Sequence, residues 1–248
     1  MNILVLLAGN STDFFNKGYL YPKYLTEIQG KPLVEYVINS YEKLKEANFI
    51  FTVLKEDSDR FHLNNVINLL IPNAKIVNVE NVTKGAACTA LLAVEHINND
   101  EPLLIVNGDQ ILEVDFTQVI NSFTQQDLAG GIITFDSVHP RWSYVRLGDD
   151  NLVIEAAEKR PISRHATAGV YYFKRGKDFV ESAMDMIEKD ASVNDLYYVC
   201  PSYNEMILKQ HKIGTYNIDR EQYISVAAPE DISSFLKHLE NKKETCKR

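Results

Sequence analysis

Two short loops carry residue types that could bind and activate a phosphate ester. The first reads Ala8-Gly9-Asn10-Ser11-Thr12 and leads to Pro22-Lys23-Tyr24-Leu25. Small residues let backbone N–H groups converge on phosphate oxygens, and Lys17 and Lys23 would add positive charge. The second reads Asn107-Gly108-Asp109-Gln110. An Asp just past a buried strand can ligate a magnesium ion that also touches substrate phosphates. Each loop also has a plainer reading, the first as a polar strand-to-helix connection and the second as a tight Asn-Gly turn. Neither a Walker loop nor G-x-G-x-x-G is present, so ATPase and dehydrogenase chemistry lose their usual support.

The elements that must position these loops alternate along the first half of the chain. Residues 3–8 form a continuous apolar run, the pattern of a strand buried on both faces. Residues 31–43 put Leu33, Val34, Val37, Ile38 and Tyr41 on one helical face. A strand over 49–54, a helix over 59–70, a strand over 75–79, a helical segment over 85–97 and a strand over 103–106 continue the alternation. This is a doubly wound α/β unit. Strands over 131–135, 144–147, 153–156 and 169–173 then imply a more mixed sheet, followed by helices over 177–189 and 202–209. A last helix begins at Pro229, with Glu230 and Asp231 complementing its positive end and Ile232, Phe235, Leu236 and Leu239 on its apolar face. The charged residues 241–248 are expected to form a loose tail.

The 248 residues are 45% apolar and 24% charged, with 13 Tyr and 11 Phe, the composition of a globular chain and not a disordered one. A formal net charge of -8 argues against a nucleic-acid partner, although a local cluster of cations can still attract anionic substrates. Cys88, Cys200 and Cys246 are far apart and form no C-x-x-C pair, so neither a zinc site nor a disulfide framework is expected. No run reaches the length of a membrane span. With no basic leader before Asn2-Ile3-Leu4, a cytoplasmic location without membrane association is expected.

Taken in order, Leu7-Ala8-Gly9 with Phe14, Pro22-Lys23-Tyr24-Leu25, Gly30-Lys31-Pro32-Leu33, Lys84-Gly85-Ala86-Ala87 and Asn107-Gly108-Asp109-Gln110 form a series. Glu158-Lys159-Arg160-Pro161, the run Ala168-Gly169-Val170-Tyr171-Tyr172-Phe173, and Ala228-Pro229-Glu230-Asp231-Ile232 complete it. The series resembles the sugar-phosphate nucleotidylyltransferase family, in particular its short versions associated with bacterial surface (capsule or lipopolysaccharide) polysaccharides. The likeness runs from Ile3 to about Leu236. It implies a Rossmann-like, doubly wound mixed sheet in three α/β/α layers, similar to GT-A folds, within a single domain over residues 1–240. Residues 1–112 would be the nucleotide-binding half and 113–240 the acceptor-binding half.

The resemblance implies roles as well. Ala8, Gly9, Asn10 and Ser11 would line the nucleotide, Lys23 would reach its phosphates, and Gly85 and Ala86 would lie against base or ribose, where small residues permit close approach. Asp109 would hold Mg2+, and it and Lys23 would be the catalytic residues. Glu158, Lys159 and Gly169 would meet the acceptor, the carboxylate accepting hydroxyl hydrogen bonds and the ammonium meeting phosphate. Pro140 and Tyr144 match a structural Pro…Tyr element. The implied reaction joins a nucleoside triphosphate to a phosphorylated small molecule and releases pyrophosphate. The attacking phosphate is already anionic, so no His is needed as a base, and neither His139 nor His165 is assigned one. A homo-oligomer is compatible with this reading.

One departure bears on that assignment. The family writes its first loop Gly-x-Gly-Ser/Thr-Arg, the Arg gripping the triphosphate, whereas Asp13 follows Gly9-Asn10-Ser11-Thr12 here. Two unit charges 4 Å apart interact by about 1 kcal/mol in water and about 4 at an effective dielectric of 20, so the reversal calls for compensation. Lys17 and Arg164 are the candidate cations, and Asp13 is itself a candidate second metal ligand, since residues 223–227 lack the family's further Asp. Two more segments combine aromatic and polar groups suited either to acceptor recognition or to packing: residues 139–144, with the single Trp, and residues 194–205. The rival readings are a GT-A glycosyltransferase, which would normally carry Asp-x-Asp where Asn107-Gly108-Asp109 stands, and a nucleotide- or sugar-sensing domain without turnover.

Overall fold

The computed structural model describes residues 1–44 and 46–245. β1 (Asn2–Leu7) leads through α1 (Thr12–Asn16) to a small hairpin, β2 (Glu27–Ile28) and β3 (Lys31–Pro32), and to α2 (Leu33–Asn39). β4 (Asn48–Leu54), α3 (Lys55–Phe61), α4 (Leu63–Leu70), β5 (Lys75–Val79), α5 (Ala86–Leu91), α6 (Val94–Ile97) and β6 (Leu103–Asn107) complete the first half. The second half runs β7 (Gln110–Leu112), α7 (Phe116–Gln125), β8 (Gly130–Asp136), β9 (Ser143–Leu147), β10 (Val153–Glu158) and β11 (His165–Phe173). It ends with α8 (Gly176–Glu188), α9 (Tyr203–Leu208), β12 (Ile213–Asn217), β13 (Tyr223–Ser225) and α10 (Pro229–Thr245).

β1 pairs in parallel with β4 on one edge and β6 on the other, and β4 pairs in parallel with β5. β11 then joins β6 antiparallel, and β8 with β12 and β9 with β10 extend a nine-stranded mixed sheet. The alternation of side chains along β1 explains the layers. Ile3, Val5 and Leu7 enter one core with Phe14, Val37 and Ile67, whereas Leu4 and Leu6 enter another with Ala90, Phe179 and Met206. A strand buried on both faces has no polar side to write, hence its unbroken apolar run. The sheet thus lies between two helical layers, the α/β/α architecture that the motif order implies. Because β4 and β6 flank β1 on opposite edges, a crevice opens beyond the carboxyl ends of β1 and β6, where open α/β sheets place ligands.

Several boundaries differ from expectation for local reasons. The helix expected over 31–43 is shorter, because Lys31 and Pro32 pair with Glu27 and Ile28 across a two-residue turn in which Gln29 and Gly30 both take positive φ. Tyr41 is buried as expected but lies in the turns after α2. The single helix expected over 59–70 is two, broken at His62 with φ 57°. The break buries Asp57 and Ser58 from α3 and Leu63 and Ile67 from α4. The segment over 85–97 likewise divides into α5 and α6. The tail expected from residue 241 continues α10 to Thr245, and residues 246–248, Cys246 among them, lie outside the described residues. Cys88 and Cys200 are free thiols. Among the described residues no helix is long and apolar enough to cross a membrane.

Candidate active site

The second loop is built by close approach to β1. The Gly108 N–H donates to the Leu6 carbonyl at 3.1 Å. A Cβ at position 108 would collide with the Leu7 side chain and lie 2.9 Å from the Leu6 oxygen. Neither Asn107 nor Gly108 takes a positive φ, and β7 pairs with β13 instead of folding back on β6. Asn-Gly therefore makes no hairpin here. It brings Asp109 to the mouth of the crevice, beside a cavity of about 260 Å³ lined by Ala8, Gly9, Tyr24, Gly85 and Ala86.

Lys23 enters from the turn Lys23–Leu25. Its backbone N–H donates to the Ser11 hydroxyl at 3.1 Å, and its ammonium lies 3.5 Å from an Asp109 carboxylate oxygen. The side chain is only 6% exposed. Burial works against its charge, but Tyr24 and Asp109 more than compensate and hold the ammonium above the ordinary lysine pKa. Gly9 leaves room for this arrangement, since a Cβ there would meet the Tyr24 hydroxyl at 3.2 Å and the Lys23 nitrogen at 3.7 Å.

Gly85 closes the same cavity, with φ 107°. A Cβ there would lie 2.7 Å from the Tyr197 nitrogen. The Tyr197 backbone ties the loop down, accepting from the Ala87 N–H at 3.0 Å and donating to the Lys84 carbonyl at 2.8 Å. The next residue, Tyr198, lines this cavity and its neighbour.

That neighbour has a volume of about 360 Å³ and shares Ala86, Asn107, Asp109 and Tyr198 with the first. Its floor includes Gln110, Glu158 and Gly169. Gly169 sits at φ 66°, where the pairing of β11 with β8 slips between Thr167 and Tyr171. The Gln110 amide occupies the space a Cβ would need and donates to the Ala168 carbonyl. Glu158, at the end of β10, accepts from the Ser143 hydroxyl. Burial raises its carboxyl pKa, opposed by the Ser143 bond and the Lys159 charge.

The structure thus brings Ala8, Gly9, Gly85, Ala86, Asp109, Glu158 and Gly169 to the two cavities, while Lys23 lines neither and lies buried behind the Asp109 that they share. It places other expected residues elsewhere. Asn10 is exposed and turns its amide oxygen to the Thr12 N–H at 2.7 Å. Ser11 is buried beneath the loop and shapes the Lys23 turn without lining either cavity. Lys159 reaches the site only at its edge, where its ammonium meets the Tyr198 hydroxyl at 2.9 Å. Asp13 is exposed on α1 and lines neither cavity. Neither candidate cation is free to compensate, because Lys17 pairs with Glu230 at 2.9 Å and Arg164 grips Asp136 at 2.8 and 2.7 Å.

Sequence reasoning missed a second carboxylate. Asp231, read as a helix-start residue, also lines the larger cavity. Its side chain accepts from the Ser225 hydroxyl at 2.6 Å and the Ala228 N–H at 3.1 Å. Residues 223–227 carry no carboxylate, and this one reaches the cavity from the first turn of α10; its capping position was the available signal. Of residues 194–205, Tyr198 and Val199 face the cavity, while Tyr203 and Asn204 serve packing through bonds to the backbone of Gly131, Tyr172 and Ala156. Of residues 139–144, Arg141, Trp142 and Ser143 face it, while the buried Tyr144 donates to the His139 carbonyl.

The donor set fits magnesium. Among the described residues no three His, Cys, Asp or Glu side chains form a metal-holding group. Asp109 nonetheless presents a carboxylate 35% exposed to the shared opening, and Asp231 lines the same cavity. Mg2+ is commonly held by one or two carboxylates together with substrate phosphates and water.

With this fold and site, the chain belongs to the nucleotidyl transferase family, whose model matches residues 4–223. It is similar to the bifunctional protein GlmU of Methanococcus aeolicus, 30% identical over 179 residues, 70% of this chain and 40% of that protein. It is also similar to the mannose-1-phosphate guanylyltransferase RfbM of Salmonella typhimurium, 24% identical over 245 residues, 89% of this chain and 50% of that protein. The chain spans half or less of the length of these two relatives. A solved structure of a nucleoside-diphosphate-sugar pyrophosphorylase from Vibrio cholerae RC9 is 26% identical with a TM-score of 0.84, covering 96% of this chain and 100% of that one. A UDP-glucose pyrophosphorylase complexed with UDP-glucose shares the fold at a TM-score of 0.76 and 14% identity, over 97% and 98% of the two chains.

Proposed function

We propose that this protein transfers a nucleoside monophosphate from a nucleoside triphosphate to a sugar phosphate, or a similarly small phosphorylated metabolite, releasing pyrophosphate. The observation that carries this reading is the meeting of two cavities at Asp109, which pairs with the buried Lys23, one cavity walled by small residues and one by polar and aromatic side chains. A phosphate oxygen of the acceptor attacks the α-phosphorus; the new O–P bond forms as the bond to the β-phosphate oxygen breaks. The nucleophile is anionic at neutral pH, so positioning and charge stabilisation supply the catalysis. Lys23, held charged by Asp109, stabilises negative charge that builds at the junction, and Glu158 orients acceptor hydroxyls. Asp109, with Asp231 nearby, would hold Mg2+, which when bound neutralises phosphate charge. The resemblance of motif order to surface-polysaccharide enzymes suggests that the product is a precursor of such a polymer.

Pyrophosphate release, measured for ATP, CTP, GTP and UTP against a panel of sugar phosphates with Mg2+, tests the reaction. One donor–acceptor pair should turn over, and Asp109→Asn should lower that turnover about 100-fold or more while the folded spectrum is kept. Binding of nucleotide or sugar phosphate without pyrophosphate from any pair would replace the transferase with a sensor. Transfer from a nucleotide-sugar instead would make the chain a glycosyltransferase.

A further inference from the structure

Arg141 is the one Lys or Arg among the described residues that lines either cavity. Its guanidinium carbon lies 4.2 Å from the centre of the Trp142 ring. Trp142 is fixed by edge contacts to Phe135 and Tyr223, at 5.3 and 5.2 Å. Arg60, Arg146, Arg160, Arg164 and Arg175 each meet a carboxylate, and Arg220 donates to the Tyr223 carbonyl. The Arg141 guanidinium has no such protein acceptor among the described residues, although carboxylates line the same cavity. A cation held over an aromatic face keeps the N–H groups at its edge available, in a fork that matches two phosphate oxygens.

Arg141 lines the same cavity as Asp109 and Tyr223, and Asp109 also lines the adjoining cavity, so the guanidinium shares the space that opens at the junction.

We propose that Arg141, supported by Trp142, grips the phosphate of the acceptor and makes a phosphorylated acceptor a requirement of this cavity. The proposal rests on the transfer reaction above and names a specificity residue for it. Nothing in the sequence marked Arg141 beyond its place beside the single Trp.

That Trp provides the test, because it is the only one in the chain. Its fluorescence is followed while glucose 1-phosphate, mannose 1-phosphate and N-acetylglucosamine 1-phosphate are titrated in, each against its unphosphorylated sugar. At least one phosphate should give a saturable change that its free sugar does not. Arg141→Gln should weaken that binding about tenfold or more, and Arg141→Lys should recover part of it. The thermal shift given by whichever nucleotide stabilises the wild type should be unchanged in Arg141→Gln. The anchor is overturned if no phosphate perturbs Trp142, if free sugar and phosphate act alike, if Arg141→Gln binds as tightly as the wild type, or if the nucleotide shift is lost instead. An Arg141-dependent fluorescence change with no pyrophosphate release from any donor would retire the transfer reaction and keep the anchor.

Discussion

Burial works against the charge on Lys23, but Tyr24 and then Asp109, at 3.5 Å, hold it above the ordinary lysine pKa. A polar group placed in advance where charge will build needs little reorganisation during reaction. Asp57 shows the opposite case, a carboxyl buried without reward. It is 5% exposed, its Oδ2 has no hydrogen-bond partner, and burial, with the Glu56 charge adding, pushes its pKa from 3.8 to about 6. The raised value means that the folded state favours the protonated form. Stability from this group is therefore fully present below the unfolded value of 3.8 and is lost as pH rises through about 6. A shift of that size corresponds to about 3 kcal/mol at most. Asp57→Asn should accordingly raise the urea midpoint above pH 6, with the gain shrinking as pH falls towards 4. An equal gain at pH 4 and pH 8 would show that the carboxyl is solvated.

At the scale of elements, the site depends on backbone approaches that only glycine permits. Gly85 combines φ 107° with contact against the Tyr197 backbone, so a methyl group must shift either the start of α5 or the strap carrying Tyr198. Gly85→Ala should cost on the order of 1–3 kcal/mol in urea unfolding and weaken nucleotide binding in the same protein. Full nucleotide affinity with only the stability loss would mean that the cavity wall does not move. These elements also show what the sequence could convey. The strand buried on both faces at the start of the chain wrote itself as an unbroken apolar run, and the edge strand over residues 75–79 was legible end to end. The break at His62 was not, because a non-glycine residue in the left-handed region is imposed by packing on both sides and leaves no local signal. The same holds for the site. Asp109, Gly85, Glu158 and Gly169 were legible from motif order, whereas Asp231, Tyr198 and Tyr223 reach the cavity through strand pairing and loop ties between distant segments.

Across the whole molecule the charge balance is set against the substrates that the cavities would take. The chain carries a formal net charge of -8. Asp109, Glu158 and Asp231 line the larger cavity together with Arg141, its single Lys or Arg among the described residues, and the Lys23 charge is already shared with Asp109. Lys17 and Arg164 are engaged elsewhere, so the loop that departs from the family at Asp13 gains no replacement cation from either. A triphosphate entering without a counterion would meet a net negative site, which makes its binding conditional on a divalent cation. Thermal unfolding with each of ATP, CTP, GTP and UTP should therefore show stabilisation by one nucleotide in Mg2+ and little in EDTA. A ligand at 100 times its dissociation constant stabilises by about 2.7 kcal/mol, which for a chain of this size corresponds to a midpoint shift of about 5–10 °C. The nucleotide that shifts the midpoint names the donor. An equal shift in EDTA would mean that loop N–H groups and Lys23 hold the triphosphate unaided, and no shift with any of the four would mean that the exchange of Arg for Asp13 has closed the triphosphate site.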